Sequence, residues 1–337
     1  MIRKKNPVRA AYDWFYSKNT ILAFLLLFTL ASVLFSDRKF LSVDSVQNIL
    51  RKVACDGGIV ALAMAFVIMI GQIDLSVGST LALSGVVAAM VANTGHPVLG
   101  IAVGLATGLA SGLLTGFMVA KMKISSWIAS LAMMLALRGI VYLITDQRPV
   151  TIESPAILWF GRTKLFDFSI LIFIYLALVL VCMFVSRHTR LGTALYAVGG
   201  NEEAARMMGL KVDSVKIAAY AICGLLCAVA GILLSGRLRT AQATAGVSWE
   251  TFAIAGCALG GVKLTGGEGK FSGVMFGTLI IVVINTMFNY STNINTWWQN
   301  ILMGVLVMIS VGMQTDVISQ QLRRLSRKPG AAGAGNT

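Results

Sequence analysis

Residues 75–120 read LSVGSTLALSGVVAAMVANTGHPVLGIAVGLATGLASGLLTGFMVA and contain no Asp, Glu, Lys or Arg. An α-helix rises 1.5 Å per residue, so about 20 residues are enough to cross a hydrocarbon core of about 30 Å. This stretch is therefore long enough to cross a membrane twice. The sequence NTGHP at residues 93–97 is typical of a turn and divides it. We expect two membrane-spanning helices joined by that turn.

The whole chain has the composition of a membrane protein. Of its 337 residues, 57% are hydrophobic and 12% are charged, and its mean hydropathy is +0.80. Soluble domains carry about 25% charged residues, so a chain of two or three soluble domains is excluded. The net charge of +14 would suggest nucleic-acid binding in a soluble protein. In a membrane protein, an excess of Lys and Arg is instead expected in the cytoplasmic segments.

Further uncharged windows predict further spans. The predicted spans are 19–36, about 57–73, the two halves of 75–120, 127–145, 168–186, 217–236, a short or broken span within 250–262, and the two parts of 271–315 on either side of 289–295. We therefore expect an all-α fold, a polytopic membrane protein with about ten transmembrane helices. Broken or short helices are expected at the glycine-rich stretches.

The distribution of Lys and Arg orients these spans. With a cytoplasmic N-terminus, 18 of the 28 basic residues lie on the cytoplasmic side, 9 lie outside, and Arg138 lies within a span. Cytoplasmic segments of membrane proteins carry an excess of Lys and Arg, so both termini are predicted to be cytoplasmic. The predicted divisions are a cytoplasmic tail at 1–18, a transmembrane permease domain at 19–315 with a cytoplasmic loop at 187–216 and a periplasmic loop at 146–167, and a cytoplasmic tail at 316–337.

Two glycine-containing stretches interrupt the predicted spans. Gly71–Gly78 reads GQIDLSVG and Gly260–Gly267 reads GGVKLTGG, and both fit Gly-x-[Ile/Val]-x-Leu-[Ser/Thr]-x-Gly. In transporters, broken helices expose backbone groups to a polar solute. The shared pattern favours an internal repeat next to a polar path. A pair of tight glycine turns is the alternative.

Ionisable residues within or beside the apolar runs are candidates for function, because an uncompensated charge in a bilayer is unfavourable. These residues are Asp56, Asp74, Arg138 and Glu250. Structural pairing, or a position at the membrane interface, explains Asp56 and Arg138 at least as well. A glycine at every fourth position from Gly100 to Gly116 predicts close helix packing, with a surface for sliding helices as the alternative.

The chain carries no recognisable catalytic motif. Its two histidines, His96 and His188, are predicted to lie on opposite sides of the membrane, which leaves little for a metal site or a catalytic triad. The glycine-rich Gly266–Lys270 does not fit Gly-x-x-x-x-Gly-Lys-[Ser/Thr], the phosphate-binding pattern. If transport is active, its energy comes from a partner chain or from an ion gradient.

The predicted cytoplasmic loop contains a short helical segment. Glu203-Ala204-Ala205 has good helix propensity, and Gly209 can end the helix. Met207 and Met208 would give it a small, adaptable apolar surface. This pattern alone is equally compatible with docking of a partner and with binding to the membrane surface.

These residues resemble a known family. Glu203-Ala204-Ala205 followed by Gly209 resembles the coupling-helix motif of bacterial ABC importer permeases. Gly71–Gly78 resembles the Gly-Gly-Ile-Asp-Leu-Ser-Val-Gly signature of the permeases for ribose, galactose, xylose and related sugars, including the autoinducer importer. Three further motifs follow in the family's order, namely Ala136–Gly139, Trp249–Ala255 and Gly260–Gly269. The resemblance covers roughly residues 45–315, although Gln72 replaces the second glycine of the signature.

The resemblance implies a permease subunit in a bacterial inner membrane. Its implied partners are two ATPase subunits that use ATP, a periplasmic sugar-binding protein, and a second permease that is either a copy or a paralogue, besides membrane lipid. No cofactor in this chain and no nucleic-acid partner are expected. The implied ATPase-coupling residues are Glu203, Ala204, Ala205, Met207, Met208 and Gly209. The candidates for the translocation path are Gln72, Asp74 and Ser76 in one break and Glu250 and Thr265 in the other, with Asn285 and Asn289 as weaker ones.

The main alternative is a secondary transporter driven by protons or sodium, in which Asp56, Asp74 and Glu250 would carry the ion. A passive channel fits less well, because few polar residues line any one span. A membrane enzyme fits least well, because no pair of nucleophile and base can be named.

Overall fold

The computed structural model describes residues 27–31 and 42–290, together with positions 298, 301, 304–306, 308 and 312. Most of the predicted first and last spans, and both predicted tails, lie outside these residues. The helices of 42–290 are α1 (Val43–Val53), α2 (Ile59–Met69), α3 (Val77–Asn93), α4 (Pro97–Ala120), α5 (Ser126–Thr145), α6 (Pro155–Arg162), α7 (Ile170–His188), α8 (Arg190–Gly200), α9 (Glu202–Met207), α10 (Val212–Leu238), α11 (Trp249–Leu259) and α12 (Phe271–Tyr290). The strands are β1 (Val150–Thr151), β2 (Lys164–Leu165), β3 (Phe168–Ser169) and β4 (Thr240–Ala241).

The described helices agree with most of the predicted spans. Six stretches are long and apolar enough to cross a membrane: Val43–Met69, Pro97–Ala120, Ser126–Thr145, Ile170–His188, Val212–Leu238 and Phe271–Asn289. α3 and α11 are apolar but shorter, with 17 and 11 residues. The short span expected within 250–262 is therefore confirmed as a short helix. The total of ten spans stays a prediction.

α2 is the centre of the fold. All eleven of its side chains are buried, and they are apolar on every side, as in a helix surrounded by protein. A π-helical turn, Ala54–Gly58, joins it to α1, and Gly57 adopts a φ of +123° there. The kink places Asp56 against Arg237 of α10, with which it forms an ion pair. Asp56 is thus paired structurally, which is the alternative to a functional role that its sequence position left open.

The glycines of α4 allow close packing against α10. A Cβ at Gly112 would lie 2.2 Å from the carbonyl oxygen of Tyr220, and one at Gly108 would lie 2.4 Å from that of Gly224. Small residues let helix backbones approach this closely in a membrane, where contact between helices depends on packing. The geometry therefore accounts for the glycine spacing through tight packing.

α2 and α10 run antiparallel. Asp56 meets Arg237 near one end of the pair, and the Tyr220 hydroxyl donates to the Ile73 carbonyl, at 3.3 Å, towards the other. A non-helical segment follows each of them, 70–76 after α2 and 242–248 beyond β4, and each segment leads into a short helix. α2 therefore leads into 70–76 at the end of the pair near Tyr220, and α10 leads towards 242–248 from the opposite end.

The two glycine stretches that predicted an internal repeat form two turns that meet, and the repeat itself stays a prediction. The stretches Gly71–Gly78 and Gly260–Gly267 lie in contact, since a Cβ at Gly71 would be 3.0 Å from the carbonyl oxygen of Thr265. They follow α2 and α11, which lie side by side, since the Cys257 thiol donates to the Ala61 carbonyl at 3.3 Å.

The two ends of the molecule differ. We call the end that carries α8 and α9 the α9 end, and the opposite end, with β1, β4 and α6, the α6 end. At the α6 end β1 pairs antiparallel with β4, and the Asn93 side chain donates to the Thr151 carbonyl at 2.7 Å. The loop at 146–167 is long enough to contain a short helix, α6.

Candidate functional site

α9 is a capped and partly exposed helix. The Asn201 side chain accepts a hydrogen bond from the Ala204 N–H at 2.9 Å, which satisfies one free donor of the first turn. Gly209 has a φ of +84° and follows the end of the helix, in the left-handed region that glycine adopts without strain. The helix and the glycine therefore lie where the sequence pattern predicted them.

The coupling candidates divide between the two faces of α9. Ala205 is completely buried, whereas the side chains of Met207 and Met208 are 83% and 71% exposed. Glu203 and Gly209 are also exposed, and Ala204 is half-buried. One face of the helix thus packs on the permease, and the other presents an apolar tip.

Ion pairs connect α9 to the start of α10. Lys216 Nζ lies 2.7 Å from Glu202 Oε2, and the Lys216 side chain is only 8% exposed. Arg206 lies 3.3 Å from Asp213, which also pairs with Lys121 and Lys123 after α4. The Glu202–Lys216 pair is not apparent from the sequence, because 14 positions separate the two residues and nothing in the local pattern relates them.

The Lys216 contact also affects titration. The hydrogen bond from Lys216 lowers the pKa of Glu202 below its ordinary value of 4.5. A carboxylate with a lowered pKa stays ionised at neutral pH and loses its stabilising contribution only as the pH falls through the lowered value. The connection between α9 and α10 is therefore intact under physiological conditions.

α8 lies on both glycine stretches at the α9 end. A Cβ at Gly199 would lie 1.9 Å from the Met69 carbonyl oxygen, and that oxygen accepts from the Gly267 N–H at 3.0 Å. The Tyr196 hydroxyl donates to the Gly269 carbonyl at 2.9 Å. A displacement of α8 and α9 would therefore reach the ends of α2 and α11 directly.

Asp74 closes the turn before α3. Its Oδ1 accepts from the Ser76 N–H at 2.8 Å and from the Ser76 hydroxyl at 2.6 Å. Its Oδ2 faces the Cys223 thiol of α10 at 3.8 Å. Asp74 is only 3% exposed, and Ser76 is buried too, whereas Gln72 is partly exposed. In this conformation the Asp74 carboxylate holds the segment 70–76 together.

The other path candidates are distributed along the depth of the molecule. Glu250 and Thr265 were expected in one break, but α11 separates them, with Glu250 in its first turn and Thr265 after its end. Asn285 is half-buried on α12. Asn289 lines a cavity of about 220 Å³ near the end of α12, together with polar residues of α1. The structure does not gather the seven candidates into one site.

Arg138 of α5 binds the segment 242–248. Its Nη1 donates to the Ala243 carbonyl and, at 2.9 Å, to the Ala245 carbonyl. Two backbone carbonyls therefore compensate the positive charge of Arg138, which agrees with the structural pairing offered as one explanation for this residue. The sequence placed Arg138 in a span but gave no sign of partners 105 and 107 residues away.

Comparison with known proteins identifies the family. Residues 47–311 match the family described as the permease component of the branched-chain amino acid transport system. The chain belongs to this family. It is 37% identical over 303 residues to the ribose import permease protein RbsC of Escherichia coli (strain K12), covering 88% of this chain and 93% of that protein.

Other relatives agree. The ribose import permease protein of Bacillus subtilis (strain 168) is 40% identical over 294 residues, covering 86% of this chain and 90% of that protein. The L-arabinose transport system permease protein AraH of Escherichia coli (strain K12) is 37% identical over 255 residues, covering 75% and 77%. No solved structure matches the chain significantly. The chain is a multi-pass membrane permease subunit of an ABC importer and not an enzyme, because separate ATPase subunits hydrolyse the ATP.

Proposed function

We propose that the imported solute is a pentose or a closely related sugar. The similarity to ribose and arabinose permeases over three quarters or more of the chain carries this proposal. Neutral hydrogen-bonding side chains suit such a solute, since they bind hydroxyl groups without trapping an ion. The family description names branched-chain amino acids, which are the competing class of solute.

We place the ATPase subunit on α9. The exposed Met207 and Met208 offer it an apolar tip, and the Glu202–Lys216 pair connects that tip to α10. α10 in turn carries Tyr220 and Cys223, which contact the segment 70–76. ATP-driven movement of the ATPases would thus reach the break before α3 through one continuous helix.

The proposed docking implies a topology. The α9 end faces the cytoplasm, with ten spans, both termini cytoplasmic and the divisions 1–18, 19–315 and 316–337. The α6 end, where the loop 146–167 exposes Trp159 and Phe166, receives the periplasmic sugar-binding protein. A second permease, either a copy or a paralogue, completes the importer.

The proposed path passes the candidates at successive depths. Asn285 and Asn289 lie nearest the α6 end, Glu250 follows, and Gln72 and Thr265 lie nearest the α9 end. Asp74 and Ser76 are buried in this conformation. We therefore assign them the task of holding the break, with contact to the solute only after the helices move.

Uptake by membrane vesicles tests this function. Vesicles that contain the complete importer and internal ATP are expected to take up labelled D-ribose or L-arabinose and not L-leucine. Uptake should persist with a protonophore and stop when a non-hydrolysable ATP analogue replaces ATP. Uptake of leucine alone would contradict the sugar assignment. Uptake that a protonophore abolishes and that needs no ATP would indicate an ion-driven transporter.

A further inference from the structure

The non-helical segment 242–248 lies deep between the two ends of the molecule. Gly246 packs on Gly78, since a Cβ added at Gly246 would lie 2.8 Å from the carbonyl oxygen of Gly78. Gly78 is 15 residues before the end of α3. At 1.5 Å per residue, that contact lies about 22 Å along α3 from Asn93, the last residue of the helix, which is at the α6 end of the molecule. Arg138, which holds Ala243 and Ala245, is seven residues, or about 10 Å, from the end of α5. Both helices therefore place the segment below the membrane surface.

This segment and the first turn of α11 expose polar side chains at that depth. Those of Gln242, Thr244, Ser248 and Thr251 are exposed, as is the apolar Val247 at 55%, whereas Ala243 and Gly246 are buried. Within the described part of the chain, none of these four side chains makes a hydrogen bond. Lipid offers no partner to such groups, so they are unfavourable against hydrocarbon and favourable against water or a polar solute.

The contacts of the backbone explain why these side chains point away from the protein. Arg138 takes up the carbonyls of Ala243 and Ala245, and Gly246 lies directly on Gly78. With the backbone held on one side, the side chains of Thr244 and Ser248 lie on the other. An array of hydroxyl and amide groups on a fixed backbone matches a solute rich in hydroxyl groups.

We propose that Gln242, Thr244, Ser248 and Thr251 form the surface to which the transported sugar hydrogen-bonds inside the membrane, and that Arg138 is the positioning residue for this surface. The assignment of a sugar rests on the proposed function. The assignment of the surface to an aqueous path rests on the geometry alone.

Substituted cysteines test the surface. The five native cysteines are all buried, so the parent chain gives a low background. In assembled importer in membranes, Thr244→Cys, Ser248→Cys and Thr251→Cys are expected to react with a charged, membrane-impermeant methanethiosulfonate. Leu180→Cys, in the middle of the apolar helix α7 and with a side chain 65% exposed, is the matched control. Because such reagents need a hydrated thiolate, we expect labelling at least about tenfold faster on the proposed surface.

Added D-ribose, with ATP, should then slow the labelling of Ser248→Cys in vesicles that take up ribose. Labelling no faster than at Leu180→Cys would overturn the aqueous surface. Labelling that ribose does not change, in vesicles that transport it, would overturn the contact with solute. If the parent importer takes up neither sugar, the proposed function fails, while the labelling without sugar still decides whether the surface is aqueous.

Discussion

Replacing Lys216 with methionine is expected to reduce ATP-driven uptake by at least about tenfold, while the permease still copurifies with its ATPase. Methionine keeps most of the stem but removes the ammonium that holds Glu202 at 2.7 Å. A loss of about 1.4 kcal/mol in the coupling between α9 and α10 corresponds to a factor of ten. ATP hydrolysis and uptake should be measured together, because uncoupling changes their ratio and misfolding removes both.

The exchange of both charges provides the rescue for this variant. Glu202→Lys combined with Lys216→Glu should recover part of the uptake, since it restores an ion pair at the same place. Lys123→Met is the matched control, because Lys123 is exposed and exposed ion pairs contribute about 0–1 kcal/mol. Normal coupling in Lys216→Met, or equal losses in Lys123→Met, would contradict transmission through Glu202 and Lys216.

Replacing Arg138 with methionine is expected to reduce sugar uptake still further. The substitution leaves the carbonyls of Ala243 and Ala245 without their donor inside the membrane. A hydrogen bond to a charged group contributes about 1.5–3 kcal/mol, so the loss of two predicts a reduction of at least about a hundredfold. Initial rates of D-ribose uptake, corrected for the amount of assembled importer, measure the effect.

The conservative variant separates positioning by Arg138 from general stability. Arg138→Lys keeps a cationic donor but on a shorter side chain than the guanidinium, whose Nη1 reaches both carbonyls, so partial recovery is expected. Combining Arg138→Met with Ser248→Cys should also change the rate of thiol labelling, which a merely structural role distant from the segment would not do. Unchanged uptake and labelling in both combinations would show that Arg138 does not position 242–248.

Several parts of this fold can be predicted from local sequence. Charge-free windows of about 20 residues locate the long spans, because a bilayer excludes charge along the whole window. Gly209 and the residues Glu203-Ala204-Ala205 predict α9, because helix propensity and helix ends depend on neighbouring residues. The glycine spacing of α4 predicts close packing for the same local reason.

The features that the sequence did not reveal depend on distant partners. The segment 242–248 is held by Arg138 and Gly78, which lie far away in the sequence, and it has no glycine pattern of its own. Glu250 and Thr265 looked like parts of one break only because the length of α11 was not known. The shared glycine pattern predicts two turns, but it does not predict that these turns touch, because their contact depends on the packing of α2 against α11.

Photocrosslinking of the assembled importer is the most direct test of the central claim, that the ATPase docks on α9 and that this end is cytoplasmic. A benzoylphenylalanine at Met207 should give an adduct with the ATPase subunit. The same photoreactive residue at Phe166, which is equally exposed at the α6 end, should give none with the ATPase and instead reach the binding protein. An ATPase adduct at Phe166, or none at Met207 in an importer that transports sugar, would contradict both the docking and the orientation.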